Sequence, residues 1–329
     1  MSSARFIQVD EGPLARHTAL AAEAAAGLLA TPASVSPKFF YDALGSRLFD
    51  AITELPEYYP TRTEAAILAR HLPAIADAAL GATGPRPTLV DLGAGSCAKA
   101  ARLFPALQPS RYVAVDISVD YLRGVLDKLQ LEHPSIQMLG VGQDFSTRLD
   151  LPADVLADPD RKGGGRSLVF YPGSSIGNFD PPAALRLLRE ARAVAAGGAL
   201  LIGVDLLKSA DILEPAYDDE LGVTAAFNLN LLSHLNRLLG SNFQPRGWQH
   251  VALFNAQQSR IEMHLQARHS VDVRWPGGHR HFTAGERIHT ENSAKWQPAA
   301  FESLLREAGF SSVRRFSDER GWFAVFLAS

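Results

Sequence analysis

The sequence contains one cysteine, Cys97, and three methionines in 329 residues. A single cysteine excludes an intrachain disulfide and points to a reducing compartment. No apolar run reaches the roughly 20 residues that a membrane-spanning helix needs. The N-terminus lacks a basic stretch followed by an apolar block, so no signal peptide is expected. Neither sign of charge dominates: 32 Lys and Arg face 35 Asp and Glu, a formal net charge of −3. That balance argues against a nucleic-acid-binding surface. Internal repeats and low-complexity tracts are missing as well. A cytoplasmic, monomeric globular protein with neither membrane nor nucleic acid as partner is expected.

The apolar share of 47% and charged share of 20% are ordinary for such a protein. The length suits one large domain or two moderate ones. The chain is organised around Leu89-Val90-Asp91-Leu92-Gly93-Ala94-Gly95-Ser96-Cys97-Ala98-Lys99. A short apolar run, two glycines and a helix-forming stretch over 98–107 predict a strand, a tight turn and a helix. Glycine permits positive φ and close backbone approach to a ligand. A helix that starts after such a turn offers free N–H groups. Asp91, at the strand end, is expected to face the same crevice. Gly93, Gly95 and Ala98 satisfy a dinucleotide fingerprint. Asp91, two places before Gly93, equally fits the acidic-x-Gly-x-Gly loop of S-adenosylmethionine (SAM) enzymes. A plain structural turn is the third reading. Cys97 reads as a small packed residue.

Pro32, Pro37, Pro56 and Pro60 cut the first 60 residues into short pieces, of which 18–30 reads as a helix. Phe39, Phe40, Tyr41, Phe49, Tyr58 and Tyr59 lie near these prolines. Such aromatics make a packed corner or wall a small-molecule pocket. A helix is predicted over 63–79, with Ile67, Leu68, His71, Leu72 and Ile75 at helical spacing. Strands follow at 89–92, 112–115, 136–141, 168–171 and 199–204, alternating with helices. That alternation predicts an α/β fold with a doubly wound, mostly parallel sheet whose strand ends open on one crevice. Asp116, 21 residues beyond Gly95, suits either a ribose hydrogen bond or an N-cap. The loop 172–179 is rich in small residues; Asp180 caps the next helix and Pro181 starts it. After Asp205 the alternation stops. A helix over 212–239, strands from 261 and 271, a helix over 298–308 and a last strand over 322–327 are expected. The block 206–293 therefore reads as an insertion. The division drawn is 62–205 with 294–329 for a cofactor-binding domain, and 8–61 with 206–293 for an α+β substrate domain. His279 and His281 have no nearby carboxylate or thiolate set, so no metal is expected.

Several stretches carry a resemblance. They are Ser36-Pro37-Lys38-Phe39-Phe40-Tyr41-Asp42, Leu55-Pro56-Glu57-Tyr58-Tyr59-Pro60-Thr61-Arg62, the glycine loop with Lys99, and Pro172-Gly173-Ser174-Ser175-Ile176-Gly177-Asn178. Gly222 to Asn230, Arg260-Ile261-Glu262-Met263 and Glu291-Asn292-Ser293 extend it over nearly the whole chain from about residue 25. Together they resemble the L-histidine Nα-methyltransferases of ergothioneine biosynthesis. The resemblance implies the class I SAM-methyltransferase fold with SAM as methyl donor, and three methylations of the histidine α-amine to give hercynine. It implies that Gly93, Lys99, Asp116, Asp144 and Phe145 bind SAM, with Asp144 at the adenine amino group and Phe145 beside the ring. It implies that Tyr58, Asn178, Tyr217, Glu291, Asn292 and Ser293 hold histidine. Asn178 and Tyr217 can donate to a carboxylate, and Glu291 and Ser293 can bond the imidazole nitrogens. Phe49, Phe227 and Met263 would be apolar walls. No general base is assigned, so no residue is named as catalytic.

Small departures occur. The loop reads Gly-Ala-Gly-Ser-Cys where relatives carry Gly-Ser-Gly-Thr, Ser175 stands where threonine is usual, and Tyr171 where phenylalanine or leucine is. None removes a binding group. Related enzymes methylate other aromatic amino acids, such as tryptophan derivatives. A non-catalytic amino-acid-binding protein and an NAD-dependent oxidoreductase are the alternatives; the latter needs an acid–base group that is not evident.

Overall fold

The computed structural model describes residues 4–9, 13–156 and 166–329. Its strands, in chain order, are β1 (Arg5–Gln8), β2 (Ala33–Ser34), β3 (Thr88–Leu92), β4 (Arg111–Asp116), β5 (Gln137–Gly142), β6 (Ser167–Tyr171) and β7 (Ala199–Asp205). Then come β8 (Trp248–Asn255), β9 (Arg260–Ala267), β10 (Val271–Trp275), β11 (Gly278–Phe282), β12 (Arg287–Ala294), β13 (Val313–Ser317) and β14 (Phe323–Ala328). The chain forms two compact units. One comprises β1, Pro60–Leu206 and Trp296–Ser329; the other comprises the residues from the helix Pro13–Leu29 to Tyr59, and Leu207–Lys295.

The first unit is built on an eight-stranded sheet in the order β1-β5-β4-β3-β6-β7-β14-β13. The strands from β1 to β7 in this order pair in parallel, whereas β14 runs antiparallel to β7 and β13 antiparallel to β14. The central strands are apolar on both faces because helices cover both. Val90, Val113, Val169 and Leu200 pack with the helices Pro181–Ala195 and Pro298–Glu307. Leu89, Tyr112, Leu168 and Phe170 pack on the other side with the helices Tyr59–Thr83 and Val119–Glu132. The strand order reverses between β3 and β6, the position where open parallel sheets bind ligands beyond their C-terminal strand ends. This is the doubly wound, mostly parallel α/β architecture expected from the sequence.

The second unit is α+β. Its four-stranded sheet has the order β2-β12-β9-β8, and β10 and β11 form a separate hairpin. Along β9, Ile261, Met263, Leu265 and Ala267 are buried and the residues between them are half-buried. The helix Val223–Leu239 packs on β8 and β9 with Phe227, Leu231 and Leu235 buried.

Several elements differ from expectation. The stretch 98–107 is two helical turns, Ala98–Ala101 and Phe104–Leu107. Pro105 has no N–H to continue the ladder, so one helix cannot run through. The stretch 212–239 is also broken: Ala210–Leu213 is one turn, and the long helix starts at Val223 after Gly222 at φ +72°. Arg5–Gln8 adds a parallel edge strand to β5, which the sequence did not suggest. The helix predicted over 63–79 spans Tyr59–Thr83. It is long and apolar enough to cross a membrane by length and composition. However, it carries Glu64, Arg70 and Asp77, and it buries Ile67, Leu68, Ile75, Ala76 and Ala79 in the core of the first unit. His281 bonds Asp272, and among the described residues no group of His, Cys, Asp and Glu is arranged to hold a metal ion.

Candidate active site

In the first unit, the candidate cofactor residues gather beyond the C-terminal ends of β3, β4 and β5. The turn after β3 is left-handed at Gly93 (φ +69°), Gly95 (φ +49°) and Cys97 (φ +58°). Its amides are partly committed: Gly93 and Ala94 donate to the Val115 carbonyl, at 2.9 and 3.2 Å. Gly95 donates to Asp116 Oδ2 at 2.9 Å, and Ser118 donates to Asp116 Oδ1 at 2.8 Å. Of the two readings open for Asp116, the N-cap is corrected. Ser118, not Asp116, is the N-cap of Val119–Glu132, and the carboxylate ties the glycine turn to the end of β4. Each carboxylate oxygen still has acceptor capacity, because an ionised carboxylate offers about four lone-pair sites.

Phe145 closes one side of this turn. A Cβ at Gly93 would lie 3.7 Å from Phe145 Cζ, and the Phe145 ring stands edge-on to Tyr171 at 5.8 Å. Asp144 Oδ1 accepts from the Ser146 amide at 3.0 Å and from its hydroxyl. Lys99 Nζ donates to Glu64 Oε2 at 2.7 Å, and Glu64 Oε1 accepts from the Gly173 amide at 2.8 Å. Glu64 itself is fully buried. Asn178 ends the short turn Ser175–Asn178 that follows β6 and is half-buried.

Asp91 corrects an expectation. Its carboxylate is buried in the sheet instead of opening on the crevice, and Oδ2 accepts from the Tyr112 hydroxyl at 2.7 Å. Oδ1 has no partner among the described residues. Burial pushes this carboxyl up to about 7, against the pull of the Tyr112 hydrogen bond. Cys97 is the packed residue expected: burial pushes its thiol up to about 12, which removes it as a nucleophile.

In the second unit, aromatic rings form a connected set. Tyr41 and Phe49 lie 5.8 Å apart, Phe49 and Phe227 6.0 Å, Phe49 and Tyr58 6.1 Å, and Tyr58 and Tyr217 6.1 Å. Phe39 instead packs on His234, and Phe40 on Phe227. The set ends in a polar cluster. The Tyr217 and Ser293 hydroxyls are 2.7 Å apart, and Lys295 Nζ donates to Tyr217 at 2.8 Å and to Ser293 at 2.9 Å. His250 fixes the Tyr217 backbone: its Nε2 meets the Tyr217 carbonyl, and its Nδ1 meets the Asn228 amide, each at 2.8 Å. A carbonyl can only accept, so the proton is on Nε2.

Glu291 lies inside β12. A bulge decides where it points. His289 pairs with His264, but Glu291 pairs with Met263, so Thr290 is the extra residue. Directly opposed residues share a face. Ile288 faces with Leu265; after the bulge Glu291 faces with Met263 and Ser293 with Ile261. Strict alternation would have put Asn292 on that face and Glu291 away from it. The structure therefore brings Glu291, Ser293 and Met263 together. Asn292 is on the opposite face, opposed to Glu262, with its Oδ1 2.9 Å from His289 Nε2. Burial pushes the Glu291 carboxyl up to about 7, and the Lys295 charge pulls it down.

Two residues were missed by the sequence reading. Glu64 lies on the stripe of Ile67, Leu68, His71 and Ile75, and a carboxylate on an apolar stripe was its signal. Lys295 continues the alternation 291, 293, 295, which places three polar side chains on one face of an extended chain.

Residues 20–329 match the family of histidine-specific, SAM-dependent methyltransferases. The chain is 40% identical over 335 residues to the histidine N-alpha-methyltransferase of Mycolicibacterium smegmatis, covering all of this chain and 99% of that protein. It is 40% identical over 326 residues to the histidine N-alpha-methyltransferase of Mycobacterium tuberculosis, covering 97% of each. The ergothioneine biosynthesis protein 1 of Schizosaccharomyces pombe is 28% identical over 295 residues, or 87% of this chain and 38% of that longer protein.

Proposed function

The chain belongs to the histidine-specific, SAM-dependent methyltransferases, and from that premise we propose that it transfers three methyl groups from SAM to the α-amine of L-histidine. The product is the betaine hercynine, and the step opens ergothioneine biosynthesis, in line with the fungal relative. SAM supplies the methyl on a sulfonium whose thioether leaves readily. The chain's own work is to bind, align and exclude water.

The first unit carries features that suit SAM. The positive-φ glycine turn leaves a face without side chains beside the Phe145 ring, which suits a flat adenine. Asp116 has acceptor sites left for ribose hydroxyls, and Asp144 can accept from an adenine amino group. Lys99, held by Glu64, is a cation suited to a carboxylate. Gly93, Lys99, Asp116, Asp144 and Phe145 are assigned to SAM on these grounds.

The single observation that carries the substrate reading is the bulge in β12, which sets Glu291 and Ser293 on one face with Met263. A carboxylate acceptor and a hydroxyl suit a ring with two nitrogens. Tyr58, Phe49 and Phe227 supply apolar wall, and Tyr217 and Asn178 are donors for the substrate carboxylate. Asn292 is left out of this set because it faces the other way. The amine must react unprotonated, and a free α-amine has a pKa near 8, so its neutral fraction at pH 7 is small. The proton passes to water, directly or through a tyrosine such as Tyr41 or Tyr58 of the same aromatic set, and no general base is assigned.

Incubation of the protein with SAM and all twenty amino acids, read by mass spectrometry, tests the proposal. The expected result is a product heavier than histidine by three CH2 units, each methyl replacing one hydrogen. Methylation of tryptophan or phenylalanine with histidine untouched would replace the substrate, and no methylated amino acid would sink the reading.

A further inference from the structure

We infer that Lys295 is a specificity-determining residue: it lets Tyr217 and Ser293 both act as donors, so that the substrate half-site accepts a neutral imidazole and discriminates against rings without a bare nitrogen. The inference rests on the proposed histidine reaction and deepens it.

Lys295 is buried, an unusual place for a lysine. Its ammonium has three hydrogens and no acceptor. Two hydrogens go to Tyr217 and Ser293, at 2.8 and 2.9 Å, and the ammonium also lies 4.6 Å from the Tyr217 ring centre. The two hydroxyls together own two hydrogens. One of them spans the 2.7 Å between the oxygens. While it does, the pair has a single hydrogen for any other acceptor. The assigned roles require two: one from Tyr217 to the carboxylate and one from Ser293 to a bare ring nitrogen.

Lys295 resolves that conflict. It fills an acceptor position on each oxygen, so breaking the Tyr217–Ser293 bond leaves neither oxygen unsatisfied. Both hydrogens can then turn to the ligand. Without Lys295, each oxygen loses a donor that it has in the structure, which favours keeping the Tyr217–Ser293 bond over releasing it to a ligand. Glu291 is two residues from Ser293 on the same face of β12, which sets it about 7 Å away along the strand. A donor at Ser293 and an acceptor at Glu291 match a ring with one bare nitrogen and one N–H. Imidazolium, with two N–H groups, opposes the Ser293 donor. Indole offers no bare nitrogen, and phenyl offers neither group.

The test compares wild type with Lys295→Met, which keeps the length and removes the donors. For histidine, KM should rise at least about fivefold, the scale of leaving a buried ring nitrogen unsatisfied. Binding of phenylalanine, measured as an inhibitor, should change less than about threefold, because its ring never used the Ser293 donor. The affinity of S-adenosylhomocysteine should stay constant. In a Tyr217→Phe, Ser293→Ala background, adding Lys295→Met should change histidine KM by less than about threefold, because coupled residues are non-additive. Equal weakening of histidine and phenylalanine would make Lys295 a structural cation only and overturn the inference.

A second measurement uses the wild type alone and does not depend on the variant folding. Thiazol-4-ylalanine and thiazol-5-ylalanine each carry one bare ring nitrogen and no ring N–H. One isomer should compete with histidine several-fold better than phenylalanine does. If neither does, Ser293 is not donating and the inference fails. Failure of the underlying reaction is separate: it shows as wild type that leaves histidine unmethylated.

Discussion

Glu64 grips Lys99 with one carboxylate oxygen and the Gly173 amide with the other, at 2.7 and 2.8 Å. It thereby links the helix Tyr59–Thr83, the glycine turn after β3 and the loop after β6. The space for it is made by Gly203, where a Cβ would lie 1.9 Å from Glu64 Oε1. Glu64→Ala leaves the half-buried Gly173 N–H without this acceptor and should cost about 1–3 kcal/mol by chemical denaturation. It should also weaken S-adenosylhomocysteine, since Lys99 is released. Gly203→Ala should destabilise by a similar amount through overpacking. The double variant should lose clearly less than the sum of the two, because both changes act on one contact. Additive losses would break the proposed link.

Asp116→Ala should weaken S-adenosylhomocysteine by about 10- to 150-fold, the range for a hydrogen bond from a charged group. Part of that loss comes through the turn, whose Gly95 amide loses its acceptor. Asp116→Asn keeps one acceptor oxygen and should fall between the two. Calorimetry reads both variants, and unchanged affinity in a folded Asp116→Ala protein would confine the residue to holding the turn.

Deletion of Thr290 should leave Glu291 and Ser293 on the Met263 face. Without the extra residue, β12 pairs regularly with β9, Glu291 still opposes Met263, Ser293 still opposes Ile261, and Asn292 stays on the other face. Histidine and S-adenosylhomocysteine should therefore both bind a folded deletion variant. Calorimetry with each ligand checks this, and loss of histidine affinity with S-adenosylhomocysteine affinity retained would show that facing Met263 is not enough to place Glu291 at the ring.

The Glu291 and Asp91 carboxyls should shape the pH dependence of stability. Both are raised to about 7 in the folded protein from ordinary values of 4.5 and 3.8, chiefly by burial. The folded state therefore holds these protons more tightly than the unfolded state. Stability from these groups is present at low pH and is lost as pH rises through the window from about 4 to 7. Glu291→Gln cannot ionise, so its melting temperature should fall less between pH 5 and pH 8 than that of wild type. An identical pH slope in the two proteins would exclude the effect. On activity, Glu291→Ala should lower kcat/KM for histidine at least about tenfold and raise relative turnover of tryptophan and phenylalanine.

Histamine lacks the carboxylate assigned to Asn178 and Tyr217. It should be a poor substrate, and Asn178→Ala and Tyr217→Phe should each weaken histidine while sparing S-adenosylhomocysteine. Competition assays read by product mass decide it; methylation of histamine as efficient as that of histidine would remove the carboxylate role.

Much of this protein was legible from local pattern. The alternation of short apolar runs with helices determines a doubly wound sheet, because each strand's apolar run must be covered on both faces. Gly93 and Gly95 mark the turn, since L side chains strain at their φ angles. Other features depended on contacts made far along the chain. Pattern placed Asp91 in the crevice, but the Tyr112 hydroxyl from the next strand holds it inside the sheet. Periodicity could not reveal the bulge at Thr290, because an extra residue is defined only against the partner strand β9. That bulge, and no feature of Thr-Glu-Asn-Ser alone, decides that Glu291 and Ser293 take the Met263 face while Asn292 turns away. Lys295 shares the alternation of 291 and 293, but a lysine is expected in solvent, and only the tertiary packing that buries it against Tyr217 and Ser293 gives its charge a place in the site.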